Sequence, residues 1–188
     1  PSTEKVIKYR PFLVKEEKIL LTALEADDTK ALSSAVKQIV DNCVQGELDV
    51  NKLPTFDIEY LFLRLRAKSV GEKVTIGLKP WGCPKNDGAL CENTTEVEIN
   101  LEEVKVTKDK TQSSKIMLDD KIGVTMKYPD IDAINLTGTT PETTGMNVIT
   151  SCIDMIFTGE ETHERDSFTD EELDEFIDSL NSQQFKLI

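Results

Sequence analysis

Apolar residues recur every three or four positions as far as Gly71, then at every second position, and near the end return to the wider spacing. A helix repeats every 3.6 residues and a strand every two, so no single kind of element serves all three stretches. The chain therefore reads as α+β: N-terminal helices, a small and mostly antiparallel sheet, and acidic C-terminal helices. We divide it into an N-terminal helical region (1–71), a β-rich region with a long hairpin loop (72–128), and a loop followed by a C-terminal helical region (129–188), expected to form one compact unit.

The first helix is predicted over Val14 to Glu25, on the spacing of Ile19, Leu20, Ala23 and Leu24, with Glu16 and Glu17 favourably placed in the first turn. The second starts near Asp28, a capping residue, and carries Leu32, Ala35, Val36, Ile39, Val40 and Cys43 on one face until Gly46 stops it. A third runs from Leu53-Pro54-Thr55 to Ser69 and is apolar on two sides, which predicts cover on more than one face.

Val74, Ile76 and Leu78 then form one strand arm and Val97, Ile99 and Leu101 another, joined by a loop from Trp81 to Asn93. Ile116 to Leu118 and Ile122 to Met126 flank Asp119-Asp120 as a second hairpin, giving a sheet of three to five strands. The stretch Asn135 to Gly145 is rich in Thr, Gly and Pro and reads as an exposed loop. Val148, Ile149, Cys152, Ile153 and Ile156 read as a helical stripe ended by Gly159, and Thr169-Asp170-Glu171-Glu172 as a capping box opening the last helix. An amphipathic run from Phe176 to Leu187 reaches the last residues, and we expect the chain to be a segment of a longer protein.

Charge narrows the function. The chain has 35 Asp plus Glu against 22 Lys plus Arg, a net of -13, and no dense basic run, which opposes nucleic-acid binding. Its apolar runs are far shorter than the roughly 20 residues of a membrane-spanning helix, so no membrane insertion is expected. From Gly159 to Leu180 ten acidic residues face a single Arg, a solvated helix face or a docking face for a basic partner. Glu171, Glu172 and Glu175 are the candidate interaction residues, because they lie off the stripe of Leu173, Phe176, Ile177 and Leu180.

Each catalytic template lacks a residue. Cys83 and Cys91 are the weak metal candidates, but seven residues separate them where a tight chelate turn wants two to four. Cys43 and Cys152 sit on apolar stripes as small hydrophobes. His163 is the only histidine, lies among carboxylates and reads as a surface residue, with no Gly-x-Ser-x-Gly turn to accompany it. No calcium loop or phosphate-binding loop is present. We expect no catalytic residues, no cofactor and no enzymatic activity.

Longer words point to a family. Lys8-Tyr9-Arg10-Pro11-Phe12-Leu13-Val14-Lys15-Glu16-Glu17-Lys18, Leu53-Pro54-Thr55-Phe56-Asp57-Ile58-Glu59-Tyr60 and Leu65-Arg66-Ala67-Lys68-Ser69-Val70-Gly71-Glu72 resemble the baseplate hub assembly protein family of T-even-type contractile-tailed bacteriophages. Met126-Lys127-Tyr128-Pro129, Ile153-Asp154-Met155-Ile156 and Phe176-Ile177-Asp178-Ser179-Leu180 extend the likeness over nearly the whole chain. The resemblance implies a structural or assembly role in the tail baseplate, without catalytic residues, and a chain with a short further N-terminal piece and another strand-rich segment past the glutamine-containing helix. Some relatives carry a close cysteine pair in the hairpin loop; Cys83 and Cys91 are farther apart, so no metal role carries over.

The leading expectation is a component of the baseplate hub that binds other baseplate and tail hub proteins, in the virion tail and, during assembly, in the host cytoplasm. A non-virion assembly chaperone for the hub is the alternative. A metal-dependent nucleic-acid module around Cys83 and Cys91 is a weaker one.

Overall fold

The computed structural model describes residues 1–3, 5–79, 94–107, 113–134, 141–159 and 161–188. They divide into two compact units, Pro1–Val50 with Phe56–Val106, and Asn51–Thr55 with Thr107–Ile188. The three regions drawn on the sequence do not coincide with these units, because the β-rich stretch is shared between them.

In the first unit, strand β1 (Lys8–Tyr9) leads to α1 (Val14–Glu25) and α2 (Thr29–Cys43), which pack on each other. Asp28 caps α2 by accepting the Lys30 amide at 3.0 Å, which satisfies one of the unpaired donors of a helix start. The predicted α2 stripe is buried or half-buried throughout. On α1, Ala23 is buried but Leu24 is 54% exposed, so the stripe there is narrower than its spacing indicates. Helix α2 ends before Gly46: from Val44 the chain is extended and pairs as β2 (Val44–Gln45) with β1, Tyr9 opposite Val44. Gly46, at φ +111°, ends that strand instead of the helix.

Helix α3 (Thr55–Ser69) exposes only Glu59 and Lys68, as its two apolar sides predict. Gly71 closes it at φ +135°, and β3 (Lys73–Leu78) pairs antiparallel with β4 (Thr95–Asn100). The predicted Trp81 to Asn93 loop lies outside the described residues. Arg64 of α3 holds the chain beyond β4: its guanidinium donates to the carbonyls of Glu102 (2.9 Å) and Val104 (3.2 Å) and stacks over the Tyr60 ring at 4.9 Å.

The second unit contains a four-stranded antiparallel sheet, β5 (Lys115–Met117), β6 (Ile122–Met126), β7 (Ile153–Thr158) and β8 (Glu161–Glu164), in that order. Asp119 accepts the amides of Lys121 (2.8 Å) and Ile122 (2.7 Å), and these two bonds shape the β5–β6 turn and lower the Asp119 pKa. Helices α4 (Ile131–Ile134) and α5 (Pro141–Cys152) lie between β6 and β7, and α6 (Asp170–Asp178) and α7 (Ser182–Phe185) follow β8. Leu118, Val124, Ile153 and Ile156 of the sheet region pack with Leu173 and Ile177 of α6 as one core. The chain is α+β, with two-, two- and four-stranded antiparallel sheets among the described residues in place of the single small sheet expected.

Three further expectations change. Pro141 to Gly145, read as loop, is the start of α5; Pro suits the first position of a helix, where its missing N–H would be unpaired anyway. The rest of that predicted loop, 135–140, lies outside the described residues. Ile153 to Ile156, read as helix, is the start of β7, which pairs with β6 on one side and β8 on the other. The misreading has a geometric origin. Met126 faces Ile153 but Thr125 faces Met155, so Asp154 is an extra residue, a bulge that flips the alternation. Ile153 and Ile156 thereby share the core face, a spacing of three that imitates a helical stripe. Finally, the amphipathic run from Phe176 to Leu187 is two helices: Asn181 accepts the amides of Gln183 (2.9 Å) and Gln184 (3.0 Å) and starts α7 afresh.

Candidate interaction surface

The capping box predicted for α6 forms. The Thr169 hydroxyl accepts the Glu172 amide at 3.2 Å, and the Glu172 carboxylate accepts the Thr169 amide at 2.8 Å. With Leu173 and Ile177 buried on the inner side, Glu171, Glu172 and Glu175 are all exposed. They are not equivalent, because Glu172 is committed to its own helix start. Asp170 pairs with Arg165, and Asp174 accepts the Thr150 hydroxyl at 3.3 Å. Among the described residues the carboxylates of Glu171 and Glu175 have no hydrogen-bond or ion-pair partner.

His163, expected on the surface, is half-buried on β8. Its ring meets Phe168 edge-on, 5.9 Å between centroids at 72°, and Nε2 lies 3.7 Å from the Glu161 carboxylate. Pairing of His163 with Ile156 turns it to the sheet face that α6 covers. A lone His among acids carries no sequence signal for that position.

A second exposed feature lies in the first unit. Val74 pairs with Ile99 and Ile76 with Val97, so period-two alternation gathers Val74, Ile76, Leu78, Val97 and Ile99 on one face of the β3–β4 ribbon. That face is largely in solvent: Ile76 is 40% exposed, Leu78 53% and Val97 38%. The opposite face is polar, with Lys73 and Glu98 paired at 2.7 Å. The period was legible in the sequence; the exposure was not, because alternation marks an apolar face without saying whether anything covers it.

Glu16, at the start of α1, is a carboxylate with no exposed surface. Glu16 accepts from the Arg10 guanidinium at 3.0 Å, from the Leu13 amide at 2.8 Å and lies 3.4 Å from Lys15 Nζ. The Arg10 bond, reinforced by the Leu13 amide and Lys15, overcomes the cost of burial and lowers its pKa to about 2. The sequence reading placed Glu16 only as a dipole-favouring acid in the first turn of α1. Its position at the third residue of α1, where a carboxylate can reach back to the N-cap amide, was the available signal.

Cys83 and Cys91 lie outside the described residues, and the described ones bring no three His, Cys, Asp or Glu side chains together as metal ligands. Cys43 and Cys152 are free and buried, with thiol pKa values raised chiefly by that burial. Among the described residues no helix is long and apolar enough to cross a membrane.

The first unit thus exposes an apolar ribbon face, and the second a helix lined with carboxylates. A family model described as T4 bacteriophage base plate protein matches residues 1–188, and the chain belongs to that family. It is a structural protein of the bacteriophage tail baseplate, located in the virion. A search of curated proteins and one of solved structures each found no match.

Proposed function

We propose that this baseplate protein belongs to the hub and acts there, without catalysis, by binding other baseplate and tail hub proteins through its uncovered faces. The observation that carries this reading is the apolar face of the β3–β4 ribbon, since contiguous exposed apolar area is what a protein interface buries. The carboxylates of Glu171 and Glu175 add an acidic face on α6 suited to a basic partner, and Glu172 serves the helix cap. The protein would meet its partners in the host cytoplasm before the virion is complete.

Two substitutions test the two faces separately. Ile76→Lys places a charge on the ribbon, and a Glu171→Lys, Glu175→Lys double change reverses the free acids while leaving the cap intact. Each is expected to reduce co-assembly with purified tail hub proteins without loss of far-UV circular dichroism. The α6 effect should fade by about 0.5 M salt, where the screening length is only about 4 Å. Wild-type co-assembly by both variants would refute the reading. Mass spectrometry of purified virions separates a resident hub component from an assembly chaperone that departs.

A further inference from the structure

Resting on this contact-based reading, we infer that the second unit carries a defined peptide-binding groove whose occupant is a basic segment with one or two bulky apolar anchor residues. The groove, of about 360 Å³, opens between the four-stranded sheet and α6. Register explains its walls. Ile122 pairs with Thr158 and Ile156 with His163, so all four occupy one face of the sheet, and Phe176 and Leu180 of α6 with Phe168 complete the cleft. The floor is the core itself: Ile156 is only 4% exposed, whereas Phe168, Phe176 and Leu180 are half-buried and leave apolar surface at the mouth. A cleft of this size, mostly apolar with a few polar groups, accommodates one or two side chains and not a whole helix.

The rim identifies the partner chemistry. Glu161 stands beside His163, the carboxylate of Asp119 meets Gln184 at the groove edge at 3.5 Å, and Glu175 lies one helical turn before Ser179, which lines the cleft. Three cations lie near: Lys121 next to Ile122, Lys186 two residues after Gln184, and Arg165, which donates to the Phe168 carbonyl at 3.0 Å but is already paired with Asp170, so the carboxylates of Glu161, Asp119 and Glu175 outnumber the two lysines. An acidic segment, or a second copy of this unit with its own acidic rim, would meet like charge. A segment with Leu or Phe flanked by Lys or Arg gains both the apolar floor and the charged rim.

The experiment uses the full chain, isotope-labelled, and two short amidated peptides that share a central Leu-Phe pair flanked either by lysines or by glutamates. The lysine peptide is expected to shift the amide resonances of Ile122, Ile156, Thr158, His163 and Phe168, and to bind at least about tenfold more tightly than the glutamate peptide at low salt. Thr158→Arg sets a bulky cation at the mouth from an exposed position and should weaken that binding by at least about tenfold. Glu161→Lys, also exposed, repeats the test at the rim, with folding of both variants checked by circular dichroism. Shifts that map elsewhere, equal binding of the two peptides, or unchanged binding by both variants would each overturn the groove. Incorporation of the wild-type chain into baseplates with hub proteins is scored in parallel: its failure overturns the hub reading, whereas its success beside a peptide failure overturns the groove alone.

Discussion

Gly123 occupies the one position of β6 where the neighbouring strands leave no room for a side chain. A Cβ built there would lie 2.3 Å from two ring atoms of Phe157 and 2.8 Å from the Ile116 carbonyl oxygen. Phe157 is the cross-strand partner of Gly123, and its half-buried ring also lies 4.3 Å beneath the Lys115 ammonium, so the ring fills the space that the glycine vacates. Carbon atoms rest at about 3.5–4.0 Å, so Gly123→Ala requires the ring to move by more than 1 Å, on the order of a full atom radius. Overpacking of this kind costs about 1–3 kcal/mol, and we expect the upper part of that range because the Ile116 oxygen belongs to a paired strand. Phe157→Ala removes the ring but not the carbonyl. In that background Gly123→Ala should cost only about 1 kcal/mol, a coupling of about 1–2 kcal/mol between the two sites. Urea unfolding of the four proteins, followed by far-UV circular dichroism, measures it. A cost for Gly123→Ala below about 0.5 kcal/mol, or the same cost in both backgrounds, would refute the argument.

Leu173 is 0% exposed at the centre of the second core, so Leu173→Ala should cost about 2–5 kcal/mol in the same urea assay. Thr169→Ala removes the α6 cap and should cost about 1 kcal/mol, whereas Glu171→Ala, which removes an exposed carboxylate, should fall within about 0.5 kcal/mol of wild type. Because the Glu16 pKa is about 2 when folded, its contribution is fully present above the ordinary carboxylate value and is lost as pH falls toward 2. Glu16→Gln should therefore flatten the acid limb of a plot of urea midpoint against pH, and a parallel profile would count against the ion pair. Arg64→Ala frees the Glu102 and Val104 carbonyls and should raise amide exchange in the Val104 region while leaving the second unit unchanged.

What the sequence determined by itself was everything settled within a few residues. Asp28 and Thr169 cap their helices because the amides they bind lie two or three positions ahead, and the two hairpins follow from alternation and from Asp119 closing its own turn. The family was also legible, since long words such as Lys8-Tyr9-Arg10-Pro11-Phe12-Leu13 need no structure to be matched. Glu171 and Glu175 reach solvent as their place off the apolar stripe predicts, and the use of Glu172 as a cap acceptor follows from the same motif that located the helix.

Tertiary structure decided the rest, because the competing local readings were nearly balanced. Val44 and Gln45 leave the helical pattern to pair with β1. Ile153 to Ile156 has a spacing that suits a helix or a bulged strand, and only the neighbours β6 and β8, which satisfy its backbone on both edges, choose the strand. Glu16 became a buried ion because Arg10, six residues earlier, is brought back over the start of α1 by β1, whose partner β2 lies beyond α2. The groove beside His163 exists only once three strands and a helix converge, and no pattern along the chain records such a meeting, since each wall contributes residues that are unremarkable on their own element.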